Sequence, residues 1–372
     1  MIVGVPTEVK SEEYRIALTP VGARELTARG HRIMVQAGAG RGSAISDEDF
    51  AAVGAEIVPS AADVFGGAEL ILKVKEPQPS EIAQLGSGQI LFTFLHLAAY
   101  PEEGKGLVVG GATAIAYETV QLPSGALPLL APMSEIAGRL AAQAGAHFLE
   151  RPHGGRGVLI GGAAGVPPAR VTVIGAGSAG TNAAMIAAGM GAAVTILDIN
   201  VDRLRHLDEL HHGRIVTIRS SIYALDEIIP TSDLVIGAVL VPGARAPIVV
   251  TEDQVAGMRP GSVVVDISID QGGCIATARE TTHTDPTYLV GEVIHYAVGN
   301  IPGAVPRTST YALTNATLPY TVALAESLEA GFAAYPELVR GVNVANGVVT
   351  NRAVAAALGA PYHDPLEALQ IT

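Results

Sequence analysis

Gly175, Gly177 and Gly180 stand in the order G-x-G-x-x-G. Alone, that spacing is common in small-residue loops, and its surroundings make it specific. Val171-Thr172-Val173-Ile174 before it reads as a buried strand, and residues 182–189 after it suit a helix. A second apolar run, Val194-Thr195-Ile196-Leu197, ends in an acid, Asp198. Each part has a task in holding a dinucleotide. Gly175 permits a tight turn, Gly177 lets a pyrophosphate approach the backbone, and Gly180 lets the helix pack closely on the strand. The helix start at Ser178 and Ala179 offers N–H groups and a positive dipole end to phosphates. Asp198, ~20 residues on, can accept hydrogen bonds from ribose hydroxyls and would repel a 2′-phosphate. The expected cofactor is NAD rather than NADP, with Arg203 as a nearby cation pulling the other way.

A second constellation follows from one rule: open α/β sheets bind ligands beyond the carboxyl ends of their strands. The first third of the chain then offers Arg15, in the loop after the first apolar run, and Lys75 and His96, each directly after one. The second half offers Asp270 and Asn300. Arg clamps a carboxylate through paired hydrogen bonds, Lys neutralises a carboxylate or polarises a carbonyl, and His moves protons near neutral pH. Asp270 could orient water or stabilise an iminium. Each has a plainer reading. Arg15 follows Glu12-Glu13 and could be a surface charge. Lys73 and Lys75 alternate onto one face, so at least one is solvated or paired. His96 lies between two leucines, as a core histidine would, and Asp270 could cap a turn before Gly272-Gly273.

These residues need rigid elements behind them. Residues 2–6, 32–36, 70–74, 89–95 and 113–117 read as strands, and 19–29 as a helix with Pro20 in its first turn and Gly30 after it. After Pro132 a long helix is expected from an N-cap at Ser134 to about Glu150, with Ile136, Leu140, Ala144 and Phe148 on one face. Six strand-like runs follow, at 170–174, 193–198, 214–218, 233–238, 262–267, and either 287–290 or 295–298. A helix over 318–334 dominates the tail. The expected fold is α/β: two Rossmann-like doubly wound domains with a cleft between them. The substrate domain would be discontinuous, residues 1–128 plus 307–372, around an NAD-binding domain over 129–306.

Bulk properties narrow the class. The chain has 372 residues, is 49% hydrophobic and 16% charged, and carries a formal net charge of −13. Such a chain builds large cores and repels phosphate backbones, so nucleic acid is not an expected partner. Its one cysteine, Cys274, excludes an intrachain disulfide. The start lacks a signal-peptide apolar core, so a cytoplasmic location is expected. Residues 171–197 carry no charge and exceed the ~20 residues of a membrane span, but their glycines, Thr, Ser and Asn divide them into strand, turn, helix and strand. No membrane association is expected.

Several long stretches carry a family resemblance. They include Pro6-Thr7-Glu8, Thr19-Pro20, Leu72-Lys73-Val74-Lys75-Glu76-Pro77 and Phe94-Leu95-His96-Leu97. Further on stand Leu130-Ala131-Pro132-Met133-Ser134-Glu135, the run from Asp266 to Gly273, and Thr308-Ser309-Thr310-Tyr311-Ala312-Leu313-Thr314-Asn315. With these, the chain resembles the L-alanine dehydrogenases over nearly its whole length. The resemblance implies reversible oxidative deamination of L-alanine to pyruvate and ammonium. Arg15 and Lys75 would bind substrate, His96 would be the general acid/base, and Asp270 the second catalytic residue. NAD would contact Ser134, Ser178, Asp198, Arg203, Ser220, Val239, Leu240, Ile267, Ser268, Ile269, Asp270, Arg279, Val298, Gly299, Asn300 and Ile301. Position 203 is often Lys in the family, and Arg keeps the charge. A homohexamer is implied. Some members pair a glutamate with a histidine of the C-terminal helix around a metal; here that position is Ser327, so no metal is expected, and Glu118 has no assigned role. No histidine pair has a convincing ligand spacing. Three other readings remain: the NAD-binding α subunit of a proton-translocating transhydrogenase, which usually continues toward membrane segments; a silent NAD-sensing protein; and a saccharopine- or lysine-type dehydrogenase with a roomier pocket.

Overall fold

The computed structural model describes residues 1–241 and 245–371. It divides into two compact units. One contains Met1–Pro132 and the stretch that starts at Val305; the other runs from Met133 to Ala304.

The first unit holds β1 (Ile2–Val5), β2 (Arg32–Gln36), β3 (Glu56–Val58), β4 (Leu70–Leu72), β5 (Ile90–Thr93) and β6 (Thr113–Ala116). The second holds β7 (Arg170–Ile174), β8 (Ala193–Asp198), β9 (Ile215–Arg219), β10 (Leu234–Gly237), β11 (Val263–Asp266), β12 (Thr287–Val290) and β13 (Val293–Tyr296). The chain then returns to the first unit with β14 (Val342–Ala345) and β15 (Val348–Val349).

The first sheet runs β15-β14-β6-β5-β4-β1-β2-β3 and the second β12-β13-β11-β10-β7-β8-β9. β1 to β6 pair in parallel, in the doubly wound order 3-2-1-4-5-6. The second unit repeats that order with β7 to β11 and β13, and β12 adds an antiparallel edge. Both are Rossmann-like. The order reverses between β1 and β4, and again between β7 and β10, and in such sheets a ligand sits at that crevice.

The strands read as continuous apolar runs because helices cover both faces. In β7, Val171 and Val173 join a core with Ile196, Ile236 and Val265. Ile174 points the other way, into a core with Leu197, Val235 and Val264. This period-two division of one uncharged segment is why residues 171–197 are a buried strand–helix–strand unit. No helix among the described residues is long and apolar enough to cross a membrane.

Several boundaries differ from the sequence expectations. The long helix is Ala131–Phe148, so Ser134 lies inside its first turn and is not its N-cap; Pro132, whose fixed φ suits a first turn, starts the helix earlier. Both candidates for the last strand are strands: Thr287–Val290 forms as read, and its partner is Val293–Tyr296, two residues earlier than expected. The tail helix spans Pro306–Glu326 and stops at Ser327. Ser327 then caps a second helix, Leu328–Ala334, by accepting from the Ala330 N–H at 3.0 Å. β3, β14 and β15 were not anticipated.

Candidate active site and cofactor loop

In the first unit, Arg15 follows β1, Lys75 follows β4 and His96 follows β5. These strands are neighbours in the sheet, in the order β5-β4-β1, so the three candidate side chains follow adjacent carboxyl ends at the switch point. None is a surface residue by backbone placement: Arg15 is 2% and Lys75 3% exposed, and His96 is half-buried.

Each is held by a buried acid. Glu13 takes the Arg15 side chain through two oxygens, at 2.7 Å from Nε and 2.5 Å from Nη2, and accepts the Arg15 backbone N–H at 3.0 Å. Burial alone would raise the Glu13 carboxyl; the Arg15 guanidinium reverses that and holds it at about 2, with Lys75 adding to the effect. The Arg15 loop is stapled from behind, because Thr310 Oγ1 accepts the Ile16 N–H at 3.1 Å and meets Ser43 Oγ at 2.7 Å.

Strand β4 ends at Leu72, so the alternation expected for Lys73 and Lys75 does not apply. Lys73 is wholly buried between Glu8 at 2.7 Å and Glu81 at 2.8 Å. The other Glu8 oxygen accepts the Val74 N–H at 2.6 Å, which sets the backbone just before Lys75. Lys73 is therefore structural. Lys75 Nζ stands 4.0 Å from Glu76, which also pairs with Lys10. Burial would raise Glu76, but Lys75, Lys10 and His96 together hold it below its ordinary range. Glu13 thus feels Arg15 and Lys75, and Glu76 feels Lys75 and His96, so the three candidates share one electrostatic neighbourhood.

His96 has φ +48, a left-handed conformation that a side chain with a Cβ rarely adopts. Glu118, just past β6 and 4% exposed, accounts for it. Its carboxylate accepts the His96 N–H at 2.6 Å and the Leu95 N–H at 3.2 Å. The His96 ring lies parallel to Phe94, with centroids 5.7 Å apart. Glu118 had no assigned role from sequence; the structure places it under His96.

In the second unit the glycine loop has the shape its sequence suggests. Gly175 has φ +101, and a Cβ there would stand 2.5 Å from the Ala238 carbonyl oxygen. A Cβ on Gly180 would stand 1.7 Å from the Gly175 carbonyl oxygen, which is how closely the helix Ser178–Gly189 packs. A Cβ on Gly177 would meet nothing within 4 Å: it faces open space at the helix start. These three observations are what a pyrophosphate site needs, so the residues present fit NAD. Asp198 accepts the Ala176 N–H at 2.6 Å and the Asn200 N–H at 2.7 Å, tying the acid to the loop it serves. Arg203 is exposed, 3.9 Å from Asp198.

The remaining cofactor candidates also lie past strand ends: Ser220 after β9, Val239 and Leu240 after β10, Ile267 to Asp270 after β11, and Val298 to Ile301 after β13. Ser134 lies in the first turn of its helix, and Gly138 of that helix packs against the loop, where a Cβ would stand 2.0 Å from the Ala179 carbonyl oxygen. Asp270 Oδ1 accepts the Asn300 N–H at 3.0 Å, and Asn300 has φ +66. Asp266, fully buried and raised by that burial, accepts from Ser268, Cys274 and Ile275 and so shapes the Asp270 turn. Arg279 is exposed, stacked 4.0 Å above the Tyr288 ring.

His147, Glu150 and His153 bring one ligand atom each to within 4.8 Å of one another, although no histidine pair looked convincing by spacing. They stand at i, i+3 and i+6, across the end of the helix Ala131–Phe148 and the turn Arg151–His153.

Comparison with known proteins agrees with this geometry. Residues 4–137 match the family model "Alanine dehydrogenase/PNT, N-terminal domain" and residues 141–352 match "Alanine dehydrogenase/PNT, C-terminal domain". The chain is 56% identical to an alanine dehydrogenase of Mycolicibacterium smegmatis, covering 99% of this chain and 100% of the relative. It is 51% identical to that of Bacillus subtilis, over 100% of this chain and 98% of the relative. A solved L-alanine dehydrogenase superposes with a TM-score of 0.91 at 48% identity, covering 96% and 99% of the two chains. A transhydrogenase from Sinorhizobium meliloti superposes with a TM-score of 0.79 at 27% identity, covering 95% and 100%. With both family domains present and half or more of its residues shared with full-length relatives, the chain belongs to the alanine dehydrogenase family.

Proposed function

We propose that this chain catalyses the NAD-dependent, reversible oxidative deamination of L-alanine to pyruvate and ammonium. The observation that carries the reading is the placement of Arg15, Lys75 and His96 at the ends of three neighbouring strands, in a chain of this family. Arg15 and Lys75 bind the substrate carboxylate, and Glu13 fixes the plane of the Arg15 guanidinium. Bound NAD supplies the acceptor for the hydride that leaves the alanine Cα. The amine must be neutral when the hydride departs, and His96 takes and returns protons at the nitrogen and at the water that adds to the resulting imine. Asp270 stabilises the cationic imine. Collapse of the water adduct releases ammonia and leaves pyruvate.

In this reading the unit containing Met1–Pro132 is the substrate domain, and the unit from Met133 to Ala304 binds NAD. Gly175 to Gly180 and the helix start hold the pyrophosphate. Asp198 takes the ribose, Arg203 flanks it, and the residues past β9 to β13 complete the cofactor contacts together with Ser134 and Arg279. A cytoplasmic homohexamer is the expected state in the cell.

The test is NADH oxidation with pyruvate plus ammonium, run beside glyoxylate and 2-oxoglutarate. Turnover is expected with pyruvate, and its absence sinks the assignment. His96→Ala should abolish turnover while NADH still binds; near-normal turnover would remove His96 from the mechanism.

A further inference from the structure

We propose that His147, Glu150 and His153 form a surface site for one divalent transition ion of the Zn2+ class, outside the catalytic machinery. Helix Ala131–Phe148 ends by tightening. The Glu150 N–H donates to the His147 carbonyl and the His153 N–H to the Glu150 carbonyl, each at 3.1 Å. Both are i to i+3 bonds. Glu150 itself is extended, at φ −71 and ψ 142, and joins the helix end to the short turn Arg151–His153. The two turns on either side of it bring the side chains of positions 147, 150 and 153 together, so H-x-x-E-x-x-H becomes a chelating order here.

The backbone that carries these side chains is fixed before any ion arrives. Gly154, at φ +88, takes the left-handed position after the turn, and its N–H donates to the Arg151 carbonyl at 3.1 Å. The Gly155 N–H returns to the Glu150 carbonyl at 3.1 Å. Gly155 lies so close to the helix end that a Cβ would stand 2.2 Å from the Phe148 carbonyl oxygen. Pro152 restricts the turn further.

The side chains already converge. The two imidazole rings lie 3.8 Å apart between centroids with 37° between their planes. Glu150 Oε2 is 3.8 Å from His153 Nε2. One ligand atom from each residue lies within 4.8 Å of the others. Zinc–nitrogen bonds of ~2.0–2.1 Å in a tetrahedron place neighbouring donors ~3.3 Å apart. Closing the difference needs only side-chain rotation, and all three residues are exposed and able to rotate. Two imidazoles and a carboxylate suit Zn2+, Ni2+ or Cu2+, with water in the open position; Mg2+ and Ca2+ prefer all-oxygen sites. The carboxyl end of an 18-residue helix adds partial negative charge, which favours a cation.

Ser134, the cofactor candidate on the same helix, lies 13 residues before His147, or ~20 Å along the axis. An ion here would tie the helix end to the turn that follows it rather than meet the cofactor loop.

The test is calorimetric titration of the full-length protein with zinc chloride, and separately with magnesium chloride, in a non-coordinating buffer. One zinc ion per chain is expected, with magnesium giving no saturable heat. H147Q/H153Q should lose the zinc site, E150Q should weaken it, and H211Q/H212Q, which removes two histidines elsewhere on the second unit, should leave it intact. Turnover without zinc should be unchanged in all these variants. Zinc should raise the melting temperature of the wild type but not of H147Q/H153Q. Unaltered stoichiometry in H147Q/H153Q, unaltered affinity in E150Q, or wild-type binding no tighter than about 1 mM would each overturn the proposal.

Discussion

Replacing Glu118 tests whether His96 works because of where its backbone is held. The Glu118 carboxylate accepts a buried N–H from Leu95 and a part-buried one from His96. In Glu118→Ala both lose their partner, and an orphaned buried donor costs ~1–3 kcal/mol, so the loss of stability should be about 2–6 kcal/mol. The left-handed conformation at His96, φ +48, is then no longer imposed, and relaxing it releases ~1–2 kcal/mol toward an ordinary backbone. The imidazole moves with that backbone. A displacement of ~1 Å at a catalytic group can cost ~100-fold in rate, and a fall of that order in kcat is expected. Glu118→Gln keeps the shape and one acceptor oxygen, so it should fold like the wild type with an intermediate kcat. NADH affinity should be unchanged in both, because the glycine loop and Asp198 belong to the other unit. The assays are thermal melting, NADH fluorescence titration and the pyruvate-plus-ammonium rate. Wild-type kcat in Glu118→Ala, or equal rates in a folded Glu118→Gln, would refute the reasoning. Should the alanine variant fail to fold, the glutamine variant decides.

The roles of Gly177 and Gly180 can be separated. Gly177→Ala meets no protein atom, so its melting temperature should hold while NADH affinity falls; Gly180→Ala drives a Cβ to 1.7 Å from a backbone oxygen and should lower the melting temperature sharply. Glu13 lies at about 2 in the fold against an ordinary 4.5. A lowered acid stabilises above its unfolded value and loses that stability as pH falls, so on the order of 3 kcal/mol should disappear from about pH 4.5 toward pH 2, and less should disappear in Glu13→Gln, measured by urea unfolding across that range. Asp198→Asn removes the charge proposed to repel a 2′-phosphate, so the ratio of NADPH to NADH affinity should rise; an unchanged ratio would show that Asp198 does not set the preference.

Much of this was legible because it is written in local chemistry. Strands buried on both faces are runs of Val, Ile and Leu, so β2, β7 and β8 were read to the residue. The glycine loop was legible because only glycine tolerates φ +101 at Gly175 or the 1.7 Å approach at Gly180. What escaped depended on partners distant in sequence. β14 pairs with β6 across more than two hundred residues, and nothing in Val342–Ala345 names that partner. Ser134 resembles a helix cap, but Pro132 starts the turn before it, while Ser327, which does cap, splits a helix that reads as continuous.

The acids that support the site were the least legible. Arg15, Lys75 and His96 were found by one rule, the carboxyl ends of strands, and that rule selects residues by position along the chain. Glu13, Glu8 and Glu118 act through what they reach: a guanidinium, the backbone before Lys75, and the backbone at His96. A buried carboxylate with no ligand to hold is costly unless its oxygens are satisfied. Each of these acids is therefore informative about the side chain it supports, because its own burial is tolerated only in the conformation that places that side chain. The test of this view is order of effect. Substituting Glu8, which holds Lys73 and accepts the backbone N–H groups of Val74 and Lys75, should raise KM for pyruvate through Lys75 more than it changes kcat. Glu118→Gln should do the reverse through His96. If both variants moved the same parameter by the same factor, the acids would be supporting the fold as a whole and not individual groups of the site.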